Sequence, residues 1–177
     1  MSKKIRKHMI RRIQYSLCLD TTSFRTGCFG GIILVTISIL MRLFSGSPYQ
    51  AYLIFCQTRN FPPLFLLTTI HLIFSFLLGF VCGLILSDRR RAVREGKYRV
   101  GMYFVVMITL WLSVYPFIFR AAMPWVAMLM LISAWALCLP LIKMSFSIRQ
   151  LCAWIIIIFS CWIFYLILLL FRCLIGI

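Results

Sequence analysis

The chain has 177 residues, 63% of them apolar, and carries 19 Lys and Arg against 3 Asp and Glu, for a formal net charge of +16. Too little polar surface is left to clothe a soluble domain, and the length is used up by apolar stretches and short connections, with no room for a second domain. The charge lies in bands beside those stretches and no soluble fold is there to present it, so nucleic acid is not the expected partner despite the basic balance.

The first twelve residues, MSKKIRKHMIRR, are basic. The apolar run that follows begins only near Cys28 and continues as a full span, so a cleaved secretory signal is not expected. Residues 1–27 thus read as a basic amino-terminal segment and residues 28–172 as the membrane domain. The first span covers about residues 28–44, with Arg42 near its end, where a long side chain can snorkel to the headgroups. In the connection from Ser45 to Asn60, Ser47-Pro48 resembles a helix start, Ser as N-cap and Pro at the first helical position. Tyr49, Tyr52, Leu53 and Cys56 then recur at three and four residues. Both a short helix over the mouth of a bundle and an interfacial helix anchored by tyrosines satisfy that pattern.

The second span covers about residues 63–87, the third 101–119, the fourth 121–142 and the fifth 151–171. A stretch of about 20 apolar residues crosses a hydrocarbon core of about 30 Å as a helix. In lipid a lone segment satisfies its backbone only in that form, and no alternating ten-residue pattern suggests a β-barrel. The expected fold class is therefore all-α, a bundle of five transmembrane helices.

The charges alternate with these spans. Lys3, Lys4, Arg6, Lys7, Arg11, Arg12 and Arg25 precede the first. Arg89, Arg90, Arg91, Arg94, Lys97 and Arg99 follow the second, and Lys143 and Arg149 follow the fourth. The opposite side receives Arg42, Arg59, Arg120 and Arg172. The positive-inside rule then puts the amino terminus in the cytoplasm of a multi-pass protein, and the basic bands touch anionic headgroups. A bacterial cell membrane is the expected setting.

The eight cysteines contain no CxxC pair and fall mostly within spans, so they read as small packing residues. His8 and His71 are the only histidines, and no metal site is expected. Along the second span Thr68, His71, Ser75, Gly79 and Cys82 fall within a sector of roughly 80°. Small and polar groups on one face belong against other helices or a cavity, and Gly79 and Gly83 form a GxxxG that permits close approach. Two readings stand side by side: helix packing, with His71 bonded to a neighbouring carbonyl, or a ligand cavity lined by His71 and Ser75. In the fifth span Trp154, Ile158, Cys161 and Tyr165 share a face, while Trp162 points about 80° away at greater depth. No paired carboxylates, no nucleophile with a base and no phosphate loop are present, so an enzyme is not expected.

Three segments resemble the TspO/translocator protein family, the tryptophan-rich sensory proteins, also called peripheral benzodiazepine receptors. The likeness covers roughly residues 27–172. The family pattern W-Y-x-x-L-x-K-P-x-[FW]-x-P-P, then fifteen residues and a Gly in M-G, is matched in spacing by Tyr52, Pro62, Pro63 and Leu78-Gly79. Tyr115-Pro116-Phe117-Ile118-Phe119 is similar to its third-helix Trp-Pro and aromatics, and Phe159-Ser160-Cys161-Trp162 to its fifth-helix Y-x-x-W. The chain departs from the family at Gln57-Thr58 in place of Lys-Pro, His71 in place of Trp, Ser75 in place of Tyr and Leu112 in place of Asn.

The resemblance implies a five-helix bundle that binds porphyrins or other large apolar ligands beneath its first loop, as a homodimer. It implies no required cofactor, a porphyrin or haem-type molecule being a ligand. Tyr52, Pro62, Pro63, His71, Ser75, Tyr115 and Trp162 are the candidate ligand-binding residues, burying a flat molecule against aromatics while a few polar groups orient it. The alternative is a non-catalytic accessory or assembly subunit whose helices pack on a partner membrane protein. A cholesterol-recognition motif is not expected, because six residues separate Tyr165 from Arg172, one too many.

Overall fold

The computed structural model describes residues 21–44, 62–87, 94–119 and 124–175, with the side chains of 94–99, 115–119, 124, 147 and 173 outside the description. Five helices occupy them: α1 (Thr21–Phe44), α2 (Leu64–Ser87), α3 (Arg94–Phe119), α4 (Pro124–Ile148) and α5 (Gln150–Ile175). No strand occurs among the described residues. α1, α2, α4 and α5 are long and apolar enough to cross a membrane, and the apolar part of α3 among its described side chains is Val100–Val114. The protein is a multi-pass integral membrane protein, an all-α bundle of five helices.

The helices begin and end in different places from the apolar runs. α1 starts at Thr21, within the segment read as the basic amino-terminal one, and α3 starts at Arg94, ahead of the apolar run from residue 101. α4 covers 124–148 rather than 121–142, and α5 continues to Ile175. The apolar count measures only the stretch that must avoid water. Backbone hydrogen bonding carries a helix on into the headgroup layer, where Arg25 or Lys143 is welcome.

Residue pairs across neighbouring helices fix the topology. Gly27 lies against Phe80, Gly30 against Gly79, and Ser38 against Ser75, so α1 and α2 run antiparallel. Phe146 meets Trp154 and Trp135 meets Phe164, so α4 and α5 also form an antiparallel hairpin, turning at Arg149. At that turn Arg149 N–H donates to the Ser145 carbonyl, and the Arg149 carbonyl accepts from Cys152 and Ala153. The Arg149 guanidinium reaches Ser23 Oγ at 3.1 Å, bringing the α4–α5 turn to the end of the bundle where α1 starts.

α2 is the centre, packed against α1, α3 and α5. Its buried residues run from His71 through Phe74, Ser75, Leu78, Gly79, Phe80, Val81, Gly83, Leu84 and Ile85. α4 buries a single stripe, Ala127, Leu131, Ala134, Cys138, Leu141, Ser145 and Ile148, at alternating spacings of four and three. That period is the seam of a helix packed along its length on near-antiparallel neighbours. α1 buries Ser23, Gly27, Gly31, Leu34 and Ser38 and turns Phe29, Ile32, Ile33, Leu40 and Leu43 outward. Outward apolar residues are what a lipid-facing surface requires, since lipid is as apolar as the core.

Candidate functional site

α1 and α2 meet at backbone contact. A Cβ on Gly79 would stand 2.9 Å from the Gly31 Cα and closer still to the Gly30 carbonyl. One on Gly83 would stand 2.9 Å from the Gly27 Cα and press on the Thr26 carbonyl. The GxxxG of α2 thus finds its partner in Gly27, Gly30 and Gly31, and the two helices form a seam that only glycine allows.

Beyond the glycines the same seam becomes polar. Ser38 and Ser75 place their hydroxyl oxygens 3.5 Å apart. Ser75 Oγ donates to the His71 carbonyl at 2.8 Å, one turn back on its own helix, and accepts from the Trp111 indole N–H at 3.3 Å. A hydroxyl has one proton, so this arrangement commits it to the carbonyl and leaves the lone pairs for the indole and for Ser38. Nearer the end of α1, the Arg42 guanidinium donates to the Thr68 carbonyl at 3.2 Å. Arg42 therefore docks across onto α2 and is half-buried.

His71 is 7% exposed and its ring stacks on Trp111, with centroids 4.3 Å apart and planes 18° apart. Trp111 is fully buried and meets Phe159 of α5 edge-on at 5.0 Å. Phe159 meets Phe74 at 5.5 Å, Phe74 stacks on Trp162 at 5.9 Å, and Trp162 stacks on Tyr165 at 5.3 Å. Rings from α2, α3 and α5 thus form one continuous run from His71 to Tyr165. Each such pair contributes about 0.5–1.5 kcal/mol beyond the area it covers.

Three of the expected site residues belong to this run or touch it: His71, Ser75 and Trp162. His71 and Ser75 face the bundle interior and are engaged with Trp111, while Trp162 is half-buried near its far end. Trp154, Ile158, Cys161 and Tyr165 are all exposed, which makes theirs the outward face and separates it from Trp162. Pro62 and Pro63 lead into α2, and the Pro63 carbonyl accepts from Leu66 and Leu67, so Pro63 opens the helix. They stand about 12 Å along the axis from His71 by helical rise. Leu112, where the family pattern has Asn, is buried in the core. The Tyr115 side chain, Tyr52 and the Ser47-Pro48 helix start lie outside the described residues.

Sequence reasoning did not name the partners of His71 and Ser75, which are Trp111 and Ser38. Ser38 carried a readable signal, since Ser23, Gly27, Gly31 and Ser38 put small residues on one face at helical spacing. Trp111 carried none that distinguished it from Trp125, which is 59% exposed, or from half-buried Trp135. Among the described side chains no cysteine is in a disulfide; Cys138 and Cys152 are buried, with Cys138 Sγ 3.7 Å from Met107 Sδ. No group of three or more His, Cys, Asp or Glu is gathered for a metal among the described residues. No protein-family model, no curated protein and no solved structure matches the chain.

Proposed function

We propose that the protein is a membrane receptor or carrier of TspO/translocator type, which holds a large, flat, apolar ligand such as a porphyrin against the ring run of α2, α3 and α5. The observation that carries this reading is the continuity of that run. His71 and Trp162 are named by separate motifs, yet only Trp111, Phe159 and Phe74 separate them, each ring in contact with the next. A flat molecule gains most from such stacked and edge-on surfaces, and a few polar groups at one end give orientation. Ser38, Ser75, His71 and Arg42 supply polar groups at the α1 carboxyl-terminal end of the run. Pro62, Pro63, Tyr52 and Tyr115 belong to the approach from the first loop in this reading.

The ligand enters without covalent chemistry. In this reading the amino terminus is cytoplasmic by the positive-inside rule, and the contact of Arg149 with Ser23, which sets Arg149 and Arg25 at the same end of the bundle, supports it. The working assembly is a homodimer in a bacterial cell membrane, closed twofold pairs being the commonest oligomers.

The test is titration of the full chain in lipid nanodiscs with a carboxylated porphyrin, followed by tryptophan fluorescence. Saturable quenching, weakened in Trp162→Phe and His71→Ala at unchanged helical content, is expected. Quenching that rises linearly, as in empty nanodiscs, removes the reading. Porphyrin binding unaltered in His71→Ala, with much easier unfolding, makes His71 a packing residue only.

A further inference from the structure

The outward face of α5 carries a polar group that lipid cannot satisfy. Exposed hydroxyls within the other spans are bonded inside their own helices. Thr26, Thr36, Thr109 and Ser133 each donate to the carbonyl four residues back, at 2.8 or 2.9 Å. A short side chain reaches that carbonyl, and a phenol is too long to fold back onto it. Tyr165 is 43% exposed, and its hydroxyl has no hydrogen-bond partner among the described residues.

Depth and direction keep that hydroxyl out of the headgroups. The apolar stretch of α5 runs from Gln150 to Arg172, which puts Cys161 at its middle. Tyr165 stands four residues on, about 6 Å by helical rise, and so well inside a hydrocarbon layer that extends about 15 Å either side of its middle. Side chains on a helix lean towards its amino-terminal end. Tyr165 does so, its ring stacked at 5.3 Å on Trp162, three residues back. The phenol is thus held towards the bilayer middle and away from the Arg172 end. Tyr103 differs: it lies three residues from the start of the apolar part of α3, within reach of the headgroups. At the depth of Tyr165 neither water nor lipid ester carbonyls are at hand, and a bare hydroxyl there is costly.

We propose that this face of α5 is where two copies of the chain meet, α5 against α5, with Tyr165 and Cys161 at the centre of the contact. This names the interface of the homodimer proposed above and rests on that reading. A twofold axis along the membrane normal sets every residue of one copy at its own depth in the other. Tyr165 therefore meets the same phenol and, one turn back where the ring leans, the thiol of Cys161. A phenol both donates and accepts, so it is its own complement, and the thiol adds a weak acceptor. A different membrane protein would need a polar group placed at this depth; the second copy has it by symmetry. Trp154, Ile158, Cys161, Tyr165 and Leu168 recur at four and three residues, the period by which α4 packs inward, and all are exposed. Cys161 is the smallest of them and lets the two helices come close. Arg172 on the same side stays at headgroup level, where anionic lipid screens it from its copy.

The experiment places the full chain in vesicles of phosphatidylcholine and phosphatidylglycerol, with Cys161 as its only cysteine and every other one replaced by Ala. Iodine, which dissolves in the hydrocarbon layer, is the oxidant. A disulfide-linked dimer is expected. Moving the single thiol to α1, by Ile32→Cys with Cys161→Ala, should abolish it, since Ile32 faces outward on another helix. Should the single-cysteine chain not fold, the cross-linked band of the wild-type chain is expected to vanish in Cys161→Ala. Tyr165→Phe keeps the ring on Trp162 and removes only the hydroxyl. In energy transfer between chains labelled at the amino terminus and diluted with lipid, that variant should dissociate about five- to tenfold more readily, the loss of one interhelical bond from each copy. A dimer that links at Ile32 and not at Cys161, or one whose dissociation is unchanged in Tyr165→Phe, overturns the inference and leaves the homodimer standing. A chain that stays monomeric in lipid removes both.

Discussion

Between α1 and α2 the backbones touch, with Gly30 on Gly79 and Thr26 on Gly83. Between α2, α3 and α5 the contact is made by large rings, with Trp111, Phe104 and Phe159 fully buried. Within lipid, burying an apolar side chain between helices gains little over leaving it in the hydrocarbon, so association depends on packing and on polar bonds. The two regions use that packing in opposite ways. The seam has maximal contact because side chains are missing, and the ring cluster has it because side chains are large. Their responses to substitution should therefore be opposite: the cluster suffers from truncation, the seam from addition.

The largest effect is expected at Trp111. Its ring touches both His71 and Phe159 and its N–H is bonded to Ser75. Trp111→Ala leaves a cavity between three helices, with a cost of about 3–5 kcal/mol. Reversible unfolding in mixed detergent micelles measures it. A loss as small as that of an outward-facing residue such as Met102 would mean that the cluster is not a tightly packed unit.

Next comes addition at the seam. Gly79→Ala sets a methyl against the Gly30 carbonyl and the Gly31 Cα, which are backbone and cannot turn aside. The helices must separate, at about 1–3 kcal/mol. Gly101 is the internal contrast, because a Cβ there meets nothing within 4 Å. Gly101→Ala should be neutral or gain up to about 1 kcal/mol from helix propensity. Equal effects at the two positions would show that glycine at the seam is not needed for contact.

This contrast also separates what was legible in the sequence from what was not. The five helices were readable because lipid forces every apolar segment of that length into one form. The inward direction of His71, Ser75 and Gly79 was readable because small and polar residues avoid lipid and a helix repeats every 3.6 residues. The identity of the facing residue was not, since periodicity orients one helix and says nothing of register between two. Gly79 and Gly83 announced a close approach without naming Gly30 or Gly27. His71 announced an interior face without announcing Trp111. The helix ends at Thr21 and Arg94 were not legible for a related reason, since hydropathy marks the span and hydrogen bonding continues beyond it.

A smaller effect tests the polar link between the two regions. Ser75 belongs to both, lying on the α2 face near Ser38 and accepting from Trp111. Ser75→Ala removes the acceptor of a fully buried indole N–H while also freeing the His71 carbonyl from a second donor. About 1 kcal/mol is expected, below the soluble-protein figure for an orphaned buried group, because chains unfolded within a membrane also find partners. Trp111→Phe keeps most of the ring and discards the N–H, so a cycle with Ser75→Ala isolates the bond. Additive losses would show that Ser75 and Trp111 are neighbours without coupling.

The smallest effect is expected at Ser38, and its size is informative. Its hydroxyl stands 3.5 Å from Ser75 Oγ, at the outer limit of a hydrogen bond, and Ser75 already spends its proton on the His71 carbonyl. Ser38 is therefore left to donate a long bond to an oxygen that already accepts from Trp111. Alanine at 38 is smaller, keeps the small-residue stripe intact and leaves no acceptor stranded, because the Trp111 N–H retains Ser75. A cost of about 0.3 kcal/mol, below the average of about 0.6 for interhelical bonds in membranes, is the expected outcome. A loss above that of Ser75→Ala in the same unfolding assay would reverse the ranking. It would mean that the seam draws its polar stability from α1, and that Ser38, rather than Ser75, anchors the Trp111 end of the ring run.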